Sequence, residues 1–141
     1  MARRGRGAGA GRVDLAALVK AARAVRRNAH APYSRFRVGA AVLAGGAVHA
    51  GANVENASYG LTVCAERVAV GTAVAAGARR LEAVAVASGT EEPTPPCGAC
   101  LQTLAEFGGP DLPVVLAGAR GRIVETTLGE LLPRAFSKRF L

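Results

Sequence analysis

Residues 63–77, VCAERVAVGTAVAAG, followed by ARRLEAVAVAS (78–88) and GTEEPTPPCGAC (89–100), decide the fold. Apolar residues recur at helical spacing from Val63 to Ala76, and Gly77 closes the helix. Leu81 to Ser88 is a short, almost wholly apolar run of the kind that forms a buried strand. Gly89 to Pro96 holds three prolines, two acids and a glycine, and is a loop. Gly98 to Phe107 then resumes as a helix, stopped by Gly108-Gly109-Pro110. Helix, buried strand and helix in succession predict helices layered on a sheet.

The flanking segments extend the pattern. Leu112 to Gly118 and Arg122 to Thr126 read as strands split by a turn at Arg120-Gly121. Thr127 is placed to cap a last helical turn running to Leu132. On the other side, Phe36–Ala44 and Ala47–Val54 flank Gly45-Gly46 as a β-hairpin, and Asn53–Gly60 is polar, small and loop-like. Val13–Asn28 carries Leu15, Leu18, Val19, Ala22 and Val25 on one helical face, with Asp14 at its start. The order α-β-β-α-β-α-β-β-α predicts a layered α/β sandwich on one sheet, opening with an antiparallel hairpin and using crossovers later.

With 141 residues the chain is one domain, 13–141, behind a basic tail, 1–12. Arg3, Arg4, Arg6 and Arg12 supply half of the net charge of +8 among Gly and Ala, which have nothing to bury, so the tail is predicted to be disordered. No aromatic residue interleaves with those arginines and no second basic cluster of similar density follows, which argues against nucleic acid as a partner. Half of the residues are hydrophobic but Trp is absent, so the core must be built from Ala, Val and Leu. No apolar run is long enough to span a membrane, and the start lacks the apolar segment of a secretory signal. An odd count of three cysteines argues against a disulfide framework and for a reducing, cytoplasmic setting.

Those cysteines are the chemical signal. Cys64-Ala65-Glu66 and Pro96-Cys97-Gly98-Ala99-Cys100 contain all three, each group at a predicted helix start. Helix N-termini favour the thiolate that binds metal. The Cys-x-x-Cys spacing lets two sulfurs on one turn reach one ion, and a third from a facing helix completes a tripod. Structural zinc takes four protein ligands, so three leave a position open for water. Glu66 would close the site as a fourth ligand; as a proton shuttle it keeps it open. Three thiolates leave Zn²⁺ with a net negative charge, so a donor to the sulfurs is required; Arg67 is the candidate and Gln102 a weaker one. His30 and His49 have no ligand-like spacing to the cysteines.

At this point the chain resembles the cytidine deaminase family, in its small three-cysteine branch. The matching segments are Ala31-Pro32-Tyr33-Ser34, Phe36-x-Val38-Gly39-Ala40-Ala41, Asn53-Val54-Glu55-Asn56-Ala57, Cys64-Ala65-Glu66-Arg67, Pro96-Cys97-Gly98-Ala99-Cys100 and Leu131-Leu132-Pro133-x-Ala135-Phe136. The resemblance implies a three-layer α/β/α sandwich around a mixed five-stranded sheet. It implies one zinc ion per subunit on Cys64, Cys97 and Cys100, attack of zinc-bound hydroxide on C4 of cytidine or 2′-deoxycytidine, and proton transfer by Glu66. It implies that Phe36 stacks on the pyrimidine, that Asn53 and Glu55 hold ribose hydroxyls, and that the Ala65 N–H meets the base carbonyl. It also implies a homotetramer with shared sites, in which Phe136 reaches a neighbouring subunit. One departure is Leu101, where the family often has Arg; it is expected to alter a local surface or interface contact. Among rivals, a nucleoside-antibiotic deaminase is disfavoured by Asn53-Val54-Glu55-Asn56, which suits an ordinary ribose. A polynucleotide editor is disfavoured by the lack of a basic, aromatic strand-binding face. A non-catalytic zinc module would make Glu66 incidental.

Overall fold

A computed structural model describes residues 14–141; the basic tail lies outside the described residues. The elements are α1 (Leu15–Arg26), β1 (Val38–Ala44), β2 (Ala47–Ala52), α2 (Ala65–Ala75), β3 (Ala83–Ser88), α3 (Gly98–Phe107), β4 (Pro113–Ala117), β5 (Ile123–Thr127) and α4 (Leu128–Leu131). Their order is the one the sequence predicts. The strands form one sheet in the order β2-β1-β3-β4-β5, antiparallel except for the parallel β3–β4 pair, which α3 connects.

Local chemistry sets the boundaries. Asp14 caps α1 by accepting from the Ala17 N–H at 3.0 Å. Gly45 and Gly46 both adopt positive φ, +60° and +77°, as a tight hairpin turn with the native strand twist requires. At α4, the Thr127 hydroxyl accepts from the Glu130 N–H while Glu130 accepts from the Thr127 N–H, a reciprocal capping box.

The alternation of alanine and valine along β3 divides the core in two. Val84 and Val86 face α2 and α3, where Val42, Ala69, Val70, Leu104, Val114 and Leu116 complete the larger cluster. Ala83, Ala85 and Ala87 face α1 and meet Leu18, Val19 and Ala22. Small residues on that side let α1 lie close to the sheet: a Cβ on Gly39 would stand 2.1 Å from the Ala22 carbonyl oxygen. Gly51 does the same for α2, with a Cβ position 2.4 Å from the Ala69 nitrogen. The result is a three-layer α/β/α sandwich. Leu101, expected to affect a surface contact, is instead buried in the larger cluster, where an apolar side chain is the favourable one. No helix among the described residues is long and apolar enough to cross a membrane.

Candidate metal centre and its cavity

The starts of α2 and α3 meet on the valine side of the sheet. Cys64 is not inside the helix, as the apolar spacing from Val63 suggested, but at the N-cap of α2, and Cys97 is the N-cap of α3, directly before the helix start read from the sequence. Neither makes the side-chain bond back to the helix that a Ser or Asp would make there, so both sulfurs are free to turn towards each other. Cys64 Sγ lies 3.9 Å from Cys97 Sγ, and Cys97 Sγ lies 3.6 Å from that of Cys100, the third residue of α3. All three sulfurs lie within 4.8 Å of one another, and none is in a disulfide. With Zn–S bonds of about 2.3 Å, a tetrahedral ion separates its sulfurs by about 3.8 Å. The donor set therefore fits zinc in chemistry and in spacing.

The electrostatics call for a cation. Burial pushes the Cys97 thiol up, but the Cys100 N–H and hydrogen bonds with the Cys100 and Cys64 sulfurs outweigh it and bring the thiol below its ordinary value. Burial first, then the negative charges of Glu66 and Cys64, push the Cys100 thiol well above its ordinary value. Thiolates this close repel one another, so a positive charge is needed to hold the set together. Arg67 supplies part of it: its Nη2 lies 3.8 Å from Cys64 Sγ and 3.5 Å from the Thr62 carbonyl, while its buried Nε has no partner. Gln102 does not share this task. Its Nε2 donates to the Phe136 carbonyl at 3.0 Å and anchors the C-terminal segment instead.

A cavity of about 250 Å³ opens beside the sulfurs. Phe36, Val38, Ala65, Val86 and Pro95 give it apolar walls, and Asn53, Glu55 and Glu66 bring polar groups to it. A mainly apolar cleft with a few convergent polar groups is the usual form of a small-molecule site. Glu66 is 5% exposed, and burial raises its carboxyl pKa against the lowering effects of its own N–H, Cys100 and Arg67. Ala65 is the first helical residue of α2, so its N–H has no intrahelical acceptor.

The segment 53–55, expected to be part of a plain loop, is hydrogen-bonded on both sides. Val54 exchanges two 2.9 Å bonds with Val63, immediately before Cys64, while His30 donates to the Asn53 carbonyl and accepts from the Glu55 N–H. This fixes Asn53 and Glu55 beside the sulfurs. The Asn53 amide accepts from the Val38 N–H and donates to the Phe36 carbonyl, both at 2.8 Å, so it also holds Phe36 in place and keeps one N–H unengaged. The Glu55 carboxylate accepts from the Tyr33 and Ser34 N–H groups at 3.0 and 3.2 Å and from the Ser34 hydroxyl. The Ser34 hydroxyl is the main cause of its lowered pKa, so Glu55 is an anion at neutral pH.

Thr62, Val86, Thr94 and Pro95 also line the cavity and were not among the residues singled out from the sequence. Only Thr94 and Pro95 carried a signal, as part of the loop leading into Cys97. Phe136 does not line this cavity; it is 57% exposed and stacks on Phe140 with ring centroids 5.9 Å apart.

Residues 13–116 match the family model of the cytidine and deoxycytidylate deaminase zinc-binding region. The chain belongs to this deaminase family. It is 51% identical over 126 residues to the cytidine deaminase of Halalkalibacterium halodurans, covering 89% of this chain and 96% of that one. It is 47% identical over 130 residues to the cytidine deaminase of Sporosarcina psychrophila, covering 92% and 96%. The crystal structure of the Burkholderia pseudomallei cytidine deaminase superposes with a TM-score of 0.84 at 50% identity, over 88% of this chain and all of that one. As in that family, the sheet is mixed and five-stranded, and the three clustered sulfurs could hold a zinc ion.

Proposed function

We propose that the protein hydrolyses cytidine and 2′-deoxycytidine to uridine and 2′-deoxyuridine, releasing ammonia; the relatives it matches are named cytidine deaminases. One observation carries the reading: a buried glutamate, Glu66, lines a nucleoside-sized cavity together with Cys64 and Cys97, whose sulfurs converge with that of Cys100. Cys64, Cys97 and Cys100 would hold a zinc ion, which would supply the Lewis acidity that makes water nucleophilic near neutral pH. Glu66 takes a proton from the attacking water and delivers it to N3 of the pyrimidine. The second proton leaves with the amine, so that a C4–O bond forms, the C4–N4 bond breaks, and one water is consumed for each ammonia released. Burial supports this role, because it raises the carboxyl's pKa above the ordinary carboxylate value and so makes the group a better proton acceptor.

The remaining residues orient the substrate. Phe36 covers the pyrimidine face, and the Ala65 N–H donates to the base carbonyl. The free N–H of Asn53 and the anionic Glu55 hold the ribose hydroxyls. Arg67 offsets the thiolate charge. Residues 13–141 act as one catalytic domain, in the reducing cytoplasm that keeps the thiols free for metal.

The active form is a homotetramer in which Phe136 completes a neighbour's cavity. The exposure of Phe136, Tyr33, Tyr59 and Leu61 supports an associating surface. Sedimentation of the purified chain as a monomer at assay concentration would refute this. For the reaction, the test is loss of cytidine absorbance with ammonia release by the zinc-loaded protein, abolished by chelation and restored by zinc. A zinc-loaded protein that leaves cytidine unchanged overturns the reading.

A further inference from the structure

The Thr94–Pro95 wall of the cavity belongs to residues 89–96, which have no regular secondary structure, so other contacts must hold it in place. Two ion pairs cross to this loop from the β4–β5 turn, Arg120–Glu91 at 3.4 Å and Arg122–Glu92 at 3.6 Å. All four side chains are more than half exposed, and pairs so exposed contribute little. The firmer contacts converge on Thr90. Its carbonyl accepts from the Ala119 N–H at 2.7 Å. The turn packs directly on that carbonyl: a Cβ on Gly118 would stand 2.8 Å from it.

The Thr90 hydroxyl lies 2.6 Å from the Glu92 carbonyl oxygen, 2.8 Å from Ser88 Oγ and 2.9 Å from Thr94 Oγ1. A hydroxyl has one proton and two lone pairs. The Glu92 carbonyl only accepts, so it takes the Thr90 proton. The two lone pairs of Thr90 are then left to Ser88 and Thr94, and Ser88 Oγ also donates to Thr94 Oγ1 at 3.3 Å. Thr90 is thereby saturated. Ser88 is the buried last residue of β3, whereas Thr94 lines the cavity. A single side chain thus links the end of the sheet to the irregular wall of the site.

We propose that Thr90 is a positioning residue for the nucleoside cavity: its hydroxyl fixes the Thr94–Pro95 wall against the end of β3 and so sets how tightly the substrate is held. The inference rests on the proposed deaminase function. It touches neither the sulfurs nor Glu66, so its effect falls on binding rather than on the chemical step.

The test is steady-state cytidine deamination by Thr90→Val, which keeps the side-chain shape and deletes the hydroxyl, and by Thr90→Ser, which keeps the hydroxyl. Zinc per chain is measured on each. Thr90→Val is expected to raise KM roughly fivefold to tenfold with kcat within about twofold of wild type and zinc unchanged. Thr90→Ser is expected to restore KM to within about twofold. An unaltered KM in Thr90→Val, equal impairment of Thr90→Ser, or loss of kcat with zinc while KM holds overturns the inference. Should Thr90→Val not fold, Ser88→Ala removes a hydroxyl from the same cluster without touching the cavity: a raised KM at unchanged kcat supports the inference, and an unaltered KM overturns it. A wild-type protein inactive on cytidine brings down the proposed function, and this inference with it; an active wild type with an unaltered variant KM brings down the inference alone.

Discussion

Replacing Glu66 with Gln separates proton transfer from every other property of the site. Gln has the same shape and cannot carry a proton. Glu66 is the second residue of α2, past the cap that carries Cys64, so the substitution leaves the sulfur positions and the helix start intact. General acid–base catalysis contributes about 10²- to 10⁴-fold, or roughly 3–5 kcal/mol of barrier. The kcat should fall by at least that factor, because Glu66 handles the protons both of the attacking water and of the substrate. Stability should move the other way. A carboxyl only 5% exposed is penalised when ionised, and Gln is not, so the melting temperature should hold or rise. Glu66→Asp withdraws the carboxyl by about one methylene, and a displacement of that order costs up to about 10²-fold. The assay is cytidine turnover by absorbance, with zinc per chain and thermal melting on the same preparations. A Glu66→Gln protein that keeps kcat within tenfold of wild type refutes the proton role. One that loses zinc shows Glu66 to be a ligand.

Arg67→Ala should weaken zinc affinity or kcat/KM by about 10- to 100-fold, with Arg67→Lys recovering only part, since an ammonium keeps the charge but not the planar donors; unchanged chelator competition and kinetics would sink the charge-offset argument. Gly39→Ala drives a Cβ against the α1 backbone and should cost about 1–3 kcal/mol, lowering the melting point by roughly 4–12 °C; an unshifted melt would show that α1 moves freely on the sheet. Glu130 is held below its ordinary 4.5 by the Thr126 hydroxyl first, then by the Thr127 N–H. Its folded pKa is depressed, so its stabilisation is complete above pH 4.5 and is lost as pH falls through the folded value. The stability difference between wild type and Glu130→Gln should therefore shrink on acidification, and a constant difference in melts from pH 7 to pH 3 would contradict this.

The fold was legible because its signals are local. The hairpin glycines, the Ala/Val alternation of β3, Gly108-Gly109-Pro110 and the Thr127 cap each act within a few residues of where they are written. The metal ligands were legible for a different reason: three cysteines at two helix starts leave few other arrangements. The substrate walls were not legible in the same way. Val86 is one valine in a strand of similar residues, Thr62 shows no pattern, and Thr94 is marked only by its place in the loop before Cys97; the fold alone brings them together at the cavity. Gln102 was misjudged because closeness in sequence to Cys100 says nothing about direction. Two residues further along a helix is about 200° around its axis, which turns the amide away from the sulfurs and towards the C-terminal segment.

The sulfur geometry depends on the sheet's small residues as much as on the cysteines. Cys64 and Cys97 are 33 positions apart in sequence, yet their sulfurs come within 3.9 Å. That distance is set by where α2 and α3 begin. Gly51 admits the α2 backbone close to β2, and the Val54–Val63 pairing fixes the residue just before Cys64. On the other helix, the loop from Ser88 to Pro96 delivers Cys97 from the end of β3. A side chain at Gly51 would lift α2, and with it one sulfur, while the other two stayed with α3. Backbone packing at Gly51 and at the Val54–Val63 pair therefore sets the sulfur spacing as much as the cysteines do. A cysteine whose thiol is pushed up by burial and by neighbouring charge needs a cation to give up its proton, so packing that displaced one sulfur would cost the protein its metal as well as stability.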